Sequence, residues 1–201
     1  MSSTRAPRDL VLASSSPYRR ELLSRLGLPF AWAVPAIDET PGPDESPEAL
    51  VRRLALAKAR VLADANPRAL VIGSDQVAVN DGQVLGKPGG RARALEQLRA
   101  AAGREVVFLT SLCLLDAQTG EHRIDVVPTT VRFRALDEAQ LAAYVDRERP
   151  YDCAGSFKAE GLGIALFEAI RGDDPTALIG LPLITLTRLL AAAGVEVLTS
   201  A

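Results

Sequence analysis

Asn80-Asp81-Gly82, reached through the alternating Val77 and Val79, narrows the fold of this chain more than any other feature. Asp-Gly after a period-two apolar pattern marks a tight antiparallel turn, because both residues accept the positive φ that such turns require. A chain with that turn in its middle does not build an all-parallel sheet. Strand-like and helix-like stretches nevertheless alternate on either side of it. Leu10 to Ala13 reads as a buried strand that runs straight into Ser14-Ser15-Ser16-Pro17 and a helix burying Leu22, Leu23 and Leu26. Ser16 falls at the N-cap of that helix, Pro17 at its first position and Gly27 just past its end. Phe30 to Val34 is a second strand, Pro35 to Ser46 a loop rich in proline and acids. Ser46-Pro47 then opens a long helix with Leu50, Val51, Leu54, Val61 and Leu62 spaced for one buried face.

Beyond it, Ala69 to Ile72 reads as a buried strand that ends in Gly73-Ser74-Asp75. A helix from Arg91 to Ala102 is closed by Gly103, and Val106 to Leu115 and Ile124 to Arg134 are strands around a turn-rich Asp116 to His122. Asp137 and Gln140 are spaced for a capping box. A glycine-spaced loop from Asp152 to Gly163, an apolar strand and a helix from Pro182 to Ala193 complete the chain. The fold class expected is α/β, a mixed twisted sheet with flanking helices, as one domain over residues 1–201 with two lobes around a substrate cleft.

Composition removes several functions. With 48% hydrophobic and 24% charged residues, the chain has the balance of a soluble globular protein rather than a disordered or fibrous one. The net charge of −2 offers no basic footprint, so nucleic acid is not expected as a partner. The best apolar run, Val106 to Leu115, contains Thr110 and Ser111 and falls far short of the roughly 18–20 residues of a membrane span. Met1 to Asp9 carries Arg5 and Arg8 with no signal-type apolar core behind it. Cys113, Cys153 and His122, the only residues of their types, make neither a disulfide framework nor a Cys/His metal cluster. The expected setting is cytoplasmic, without a membrane partner, and monomer and homodimer both stay open.

Three segments hold residues capable of chemistry. Hydroxyls, helix N–H groups and the guanidiniums of Arg19 and Arg20 gather at Ser14 to Arg20, which reads equally as a phosphate cradle or as a plain N-cap with solvated arginines. Asp75 lies between two strand-like stretches, which places it near a sheet edge, where a carboxylate can hold Mg²⁺ or accept a proton from water, or simply terminate a turn. Lys87 is fixed between Gly86 and Pro88, Lys58 sits on the long helix, and Glu39 is a loop acid without an independent signal. In Cys153 to Gly161, Lys158 and Glu160 share one side if the chain is extended, and three glycines by Gly163 suggest close turns or a backbone pressed to a ligand. Cys113 reads as a small core residue. Cys153 has no second histidine to activate it and is not expected to be a nucleophile.

Taken together, LVLASSSPYRRELL (10–23), IDETP (37–41), the Lys58 helix, IGSDQV (72–77), GKP (86–88), CAGSFKAEG (153–161) and DPTALIGLPL (174–183) resemble the Maf family of nucleoside triphosphate pyrophosphatases. The resemblance spans about Leu10 to Leu198 and implies the Maf/Ham1-like fold. Its SDQ and SFKAEG forms are similar to the branch that hydrolyses 7-methyl-GTP to 7-methyl-GMP and pyrophosphate, a house-cleaning reaction on modified nucleotides. By that resemblance Asp75, Lys87 and Lys58 are catalytic, and Ser14 and Arg19 bind phosphate. Tyr18, Gln76 and Glu160 select the base, and Glu39 and Asp75 hold a divalent cation, Mg²⁺ or Mn²⁺. Tyr18 departs from the tryptophan of that branch, and Ala57 from a glutamate often found before the helix lysine. The alternatives are a dTTP or UTP pyrophosphatase of the same family and a non-catalytic nucleotide-binding regulator of cell division.

Overall fold

The computed structural model describes residues 8–199; residues 1–7 of the polar leader, Arg5 among them, lie outside the described residues. The described chain forms one seven-stranded sheet from β1 (Leu10–Ala13), β2 (Phe30–Ala33), β3 (Leu70–Asn80), β4 (Gln83–Leu85), β5 (Glu105–Asp116), β6 (His122–Phe133) and β7 (Phe167–Arg171). Its order is β2-β1-β3-β5-β6-β7, with β4 paired to the far end of β3. β1 is parallel to both β2 and β3, and the remaining pairs are antiparallel. The helices are α1 (Pro17–Ser24), α2 (Pro47–Ala63), α3 (Arg91–Ala101), α4 (Glu138–Glu148) and α5 (Leu183–Ala192). The mixed α/β class read from the sequence is the class observed.

Local chemistry accounts for most boundaries. Asp81 and Gly82 take φ of 48° and 77° and close the β3–β4 hairpin. Ser16 Oγ accepts from Arg19 N and Ser46 Oγ from Ala49 N, each satisfying a helix N–H that has no partner in its own first turn. Asp137 and Gln140 make the reciprocal capping box. Two readings change. Ala69 to Ile72 and the Val77–Val79 stretch are one strand, because β5 pairs with β3 without a break from Leu70 to Val79. On α2 the buried stripe runs through Val51, Ala55, Ala59 and Leu62, small enough to lie against the sheet, and Val61 turns out of it at 43% exposure.

Alternation along β3 sorts its side chains between two faces. Val71 and Val77 pack in clusters with α2, whereas Ile72 packs with α1 and α5 and Ala78 with α3 and α4. One face is thus covered by α2. On the other, α1 and α5 cover the β1 end and α3 and α4 the β6 end. α2 approaches the sheet closely at Gly73, where a Cβ would stand 2.1 Å from the carbonyl oxygen of Ala55.

Candidate active site

β1 ends at Ala13 opposite Gly73, and β4 ends at Leu85 opposite Ala78, so Ser74 to Val77 have no strand beside them on that side. A cleft of about 520 Å³ opens at this interruption. Asp75 therefore does not lie at an outer sheet edge, as its flanks suggested; it sits on an interior strand, facing a gap within the sheet. Asp75 and Gln76, adjacent in sequence, project to opposite faces, and the cleft is lined by both.

On the α2 side, Lys58 Nζ stands 2.6 Å from Asp75 Oδ1 and 2.7 Å from Glu39 Oε1. Lys58 and Asp75 are buried. Asp75 Oδ2 takes no hydrogen bond from any described residue. Burial pushes the Glu39 carboxyl up, but the bond from Lys58 and the charges of Lys58, Lys87 and Arg19 outweigh it and hold Glu39 below the usual carboxylate range. The loop carrying Glu39 is tied to α2 by Arg53, which donates to both oxygens of Glu45 at 2.7 and 2.8 Å and to Thr40 O at 3.0 Å. That bond, with a second from Gly42 N, lowers the Glu45 carboxyl to about 2. Lys87 reaches the rim from the loop after β4.

At the opposite wall, Ser14 is buried and its Oγ accepts from Ser16 N at 3.1 Å. Arg19, the third residue of α1, donates through Nε to Gly180 O and through Nη1 to Ser74 O, both at 2.8 Å. Desolvation lowers its pKa, opposed by the charges of Asp75 and Glu39, and a guanidinium so held remains a cation. Its Nη2 has no acceptor among the described residues. Arg20 does not join it, since it stacks 3.9 Å over the ring of Trp32 on β2.

Tyr18 and Glu160 line the same cleft. Partial burial raises both pKa values; Lys158 opposes the rise at each, and Glu148 and Glu21 reinforce it at Glu160. Lys158 does not face the cleft beside Glu160. Its chain turns rather than extends, through a bond from Lys158 N to the Tyr144 hydroxyl, and Nζ points to Glu148 at the end of α4. The Cys153 thiol, raised to about 12 by burial and Asp152, stays protonated, in keeping with its exclusion as a nucleophile.

The structure gives roles to residues of DPTALIGLPL (174–183), and to Thr110, that the sequence reading left without one. Carbonyls of Ala177, Leu178 and Gly180 accept from Gln76, Thr110, Ser74 and Arg19, so one short turn holds both walls. Asp174, buried, anchors that turn by accepting from Thr176 N and Oγ1 and from Ile184 N and Thr185 N at the start of α5. The sequence signal was present for Thr110, a hydroxyl inside an apolar strand, which is costly to bury without a partner.

A mixed sheet opened at its centre, with carboxylates and cations on one wall and an aromatic ring, an amide and an acid near the other, defines an α/β protein built around a charge-lined cleft. The chain belongs to the Maf family, whose profile, described as Maf-like protein, matches residues 9–193. It is 61% identical to a Nitrosococcus oceani protein named 7-methyl-GTP pyrophosphatase, over 96% of this chain and 97% of the relative. A Pseudomonas aeruginosa protein of the same name is 58% identical, over 94% of this chain and 98% of its own. The solved structure of the Staphylococcus aureus Ham1 protein matches 64% of this chain and 73% of that one, with a TM-score of 0.46 and 13% identity. No described helix is long and apolar enough to cross a membrane.

Proposed function

We propose that this chain hydrolyses 7-methyl-GTP, adding water across the bond between the α and β phosphorus atoms to give 7-methyl-GMP and pyrophosphate. The observation that carries the reading is Lys58 clamped between Asp75 and Glu39 in the same cleft as Tyr18, Gln76 and Glu160. The α-phosphate lies where the two walls meet. Arg19 Nη2 and the Ser14 hydroxyl donate to phosphate oxygens, and Lys58 and Lys87 balance the charge that develops on the departing pyrophosphate. Asp75 Oδ2, free while Oδ1 is held by Lys58, orients the attacking water and is placed to accept its proton.

Among the described residues no group of three or more His, Cys, Asp or Glu side chains is gathered to hold a metal by itself. Two carboxylates facing a triphosphate nevertheless suit Mg²⁺ or Mn²⁺, which take one or two protein carboxylates and complete their shell with water and phosphate oxygens. Glu39 and Asp75 would hold such an ion, which supplies Lewis-acid polarisation of the phosphate when bound.

The base fits the other side. The 7-methylguanine ring is cationic, and an aromatic face beside it contributes about 1–2 kcal/mol, or roughly 5–30-fold in kcat/KM over guanine. Tyr18 offers that face, and Glu160 accepts from the N–H groups of the guanine edge. Pyrophosphate release should be measured on 7-methyl-GTP, GTP, dTTP and UTP with the parent, Tyr18→Ala and Glu160→Gln. The reading expects 7-methyl-GTP to lead and both variants to narrow its lead over GTP. A preference for dTTP or UTP refutes the base assignment, and absence of turnover on every nucleotide refutes the enzyme.

A further inference from the structure

The carboxamide of Gln76 has one orientation available to it. Nε2 lies 2.9 Å from Thr110 Oγ1, 3.0 Å from Ala177 O and 3.1 Å from Leu178 O. Two of these partners are carbonyl oxygens, which only accept. The third, Thr110 Oγ1, donates its own proton to Ala177 O at 2.9 Å and so meets Gln76 with a lone pair. Turning the amide over would press Oε1 against three acceptors. Oε1 instead takes no hydrogen bond from any described residue and, unlike the buried, unpartnered oxygens of Asn80, Ser111 and Thr129, remains accessible where Gln76 lines the cleft.

Thr110 stands directly across from Gln76 in the β3–β5 register and is fully buried, so it touches no substrate. We infer that Thr110 is a positioning residue for base selection. With the Ala177 and Leu178 carbonyls it locks Gln76 so that the cleft presents an acceptor, and the site favours a base edge that offers N–H donors. This rests on the nucleotide reading above and extends it. The chemical demand made at Gln76 is set jointly by the Thr110 hydroxyl on the neighbouring strand and the Ala177 and Leu178 carbonyls, not by the glutamine alone. A glutamine free to rotate would offer donor or acceptor with little preference, and would discriminate weakly between guanine, whose edge carries N1–H and an amino group, and adenine, whose N1 accepts.

The test compares Thr110→Val, which keeps the shape and removes the hydroxyl, with Thr110→Ser, which keeps the hydroxyl. The kcat/KM ratio for 7-methyl-GTP over ATP should fall about 10-fold in Thr110→Val, chiefly through KM for 7-methyl-GTP. In Thr110→Ser it should stay within about threefold of the parent, since one buried hydrogen bond is worth about a factor of ten or less. Equal loss in both variants, or no loss in Thr110→Val, overturns the proposal. A second readout needs no turnover: the side-chain amide protons of Gln76, followed by NMR in the parent protein, should exchange more slowly with solvent than those of exposed glutamines and accelerate in Thr110→Val. Fast exchange in the parent overturns the lock even if every variant fails to fold. Slow exchange in a protein that hydrolyses no nucleotide would leave the lock standing and refute the catalytic reading instead.

Discussion

Replacing Gly73 by alanine tests how the two walls of the cleft are set. Gly73 lacks the positive φ that reserves a position for glycine, so alanine can adopt its backbone without torsional strain. In such a place Gly→Ala ordinarily stabilises by about 0.4–1 kcal/mol, by restricting the unfolded chain. Here the new Cβ would lie 2.1 Å from Ala55 O and 3.1 Å from Ala59 N, backbone atoms of α2 that cannot rotate away. Restoring even the 3.0 Å floor requires α2 to retreat by about 1 Å. Overpacking of this kind costs about 1–3 kcal/mol, which outweighs the entropic gain and lowers the melting temperature by several degrees in a chain of this size. The functional consequence is larger. Lys58 lies within one turn of Ala55, and its 2.6 Å contact with Asp75 depends on where α2 rests. A displacement of 1 Å at a reacting group can cost about 100-fold in rate. Gly73→Ala should therefore fold, melt a few degrees lower by circular dichroism, and lose about 10–100-fold in kcat. A variant as stable as the parent with kcat within threefold would refute the claim that the glycine sets the distance between helix and strand.

Other outcomes follow from the same geometry. Asp75→Asn keeps size but loses the carboxylate charge, and pyrophosphate release should fall by about 10²–10⁴-fold; activity within threefold of the parent would remove Asp75 from the reaction. EDTA should abolish turnover, with Mg²⁺ or Mn²⁺ restoring it, whereas full activity in exhaustive chelator would exclude the proposed ion. Glu45, depressed to about 2 by Arg53, contributes stability that is fully present above its unfolded value of about 4.5 and is lost as pH falls through about 2. The melting-temperature gap between the parent and Glu45→Gln should thus be steady near neutrality and close between pH 4.5 and pH 2; a gap independent of pH would show that Arg53 does not hold the loop through this carboxylate.

Much of the architecture was legible in the chain because its causes are local. The Ser16-Pro17 and Ser46-Pro47 helix starts, the Asp81-Gly82 turn and the Asp137–Gln140 box each depend on a few neighbouring residues, and all appear where the pattern put them. The mixed class followed from a hairpin signal set among alternating strands and helices. The ordered motifs likewise brought Ser14, Tyr18, Arg19, Glu39, Lys58, Asp75, Gln76, Lys87 and Glu160 to notice, and all nine line one cleft.

What the chain could not disclose by itself depends on partners distant in sequence. Gly73-Ser74-Asp75 resembled a strand end because glycine and polar residues usually punctuate strands. Only continuous pairing with β5 shows that the strand runs on and that the opening lies between β1 and β4. Lys158 and Glu160 share a side only if the chain between them is extended, and Tyr144 and Glu148 on α4 turn it instead. Arg19 and Arg20 are alike in sequence, yet Gly180 and Ser74 draw one into the cleft and Trp32 holds the other outside. Residue type and spacing determined which groups were available and how each helix and turn begins. Long-range hydrogen bonds and the approach of α2 at Gly73 decided which of those groups meet, because a side chain's direction is set by the burial and pairing of the backbone beneath it.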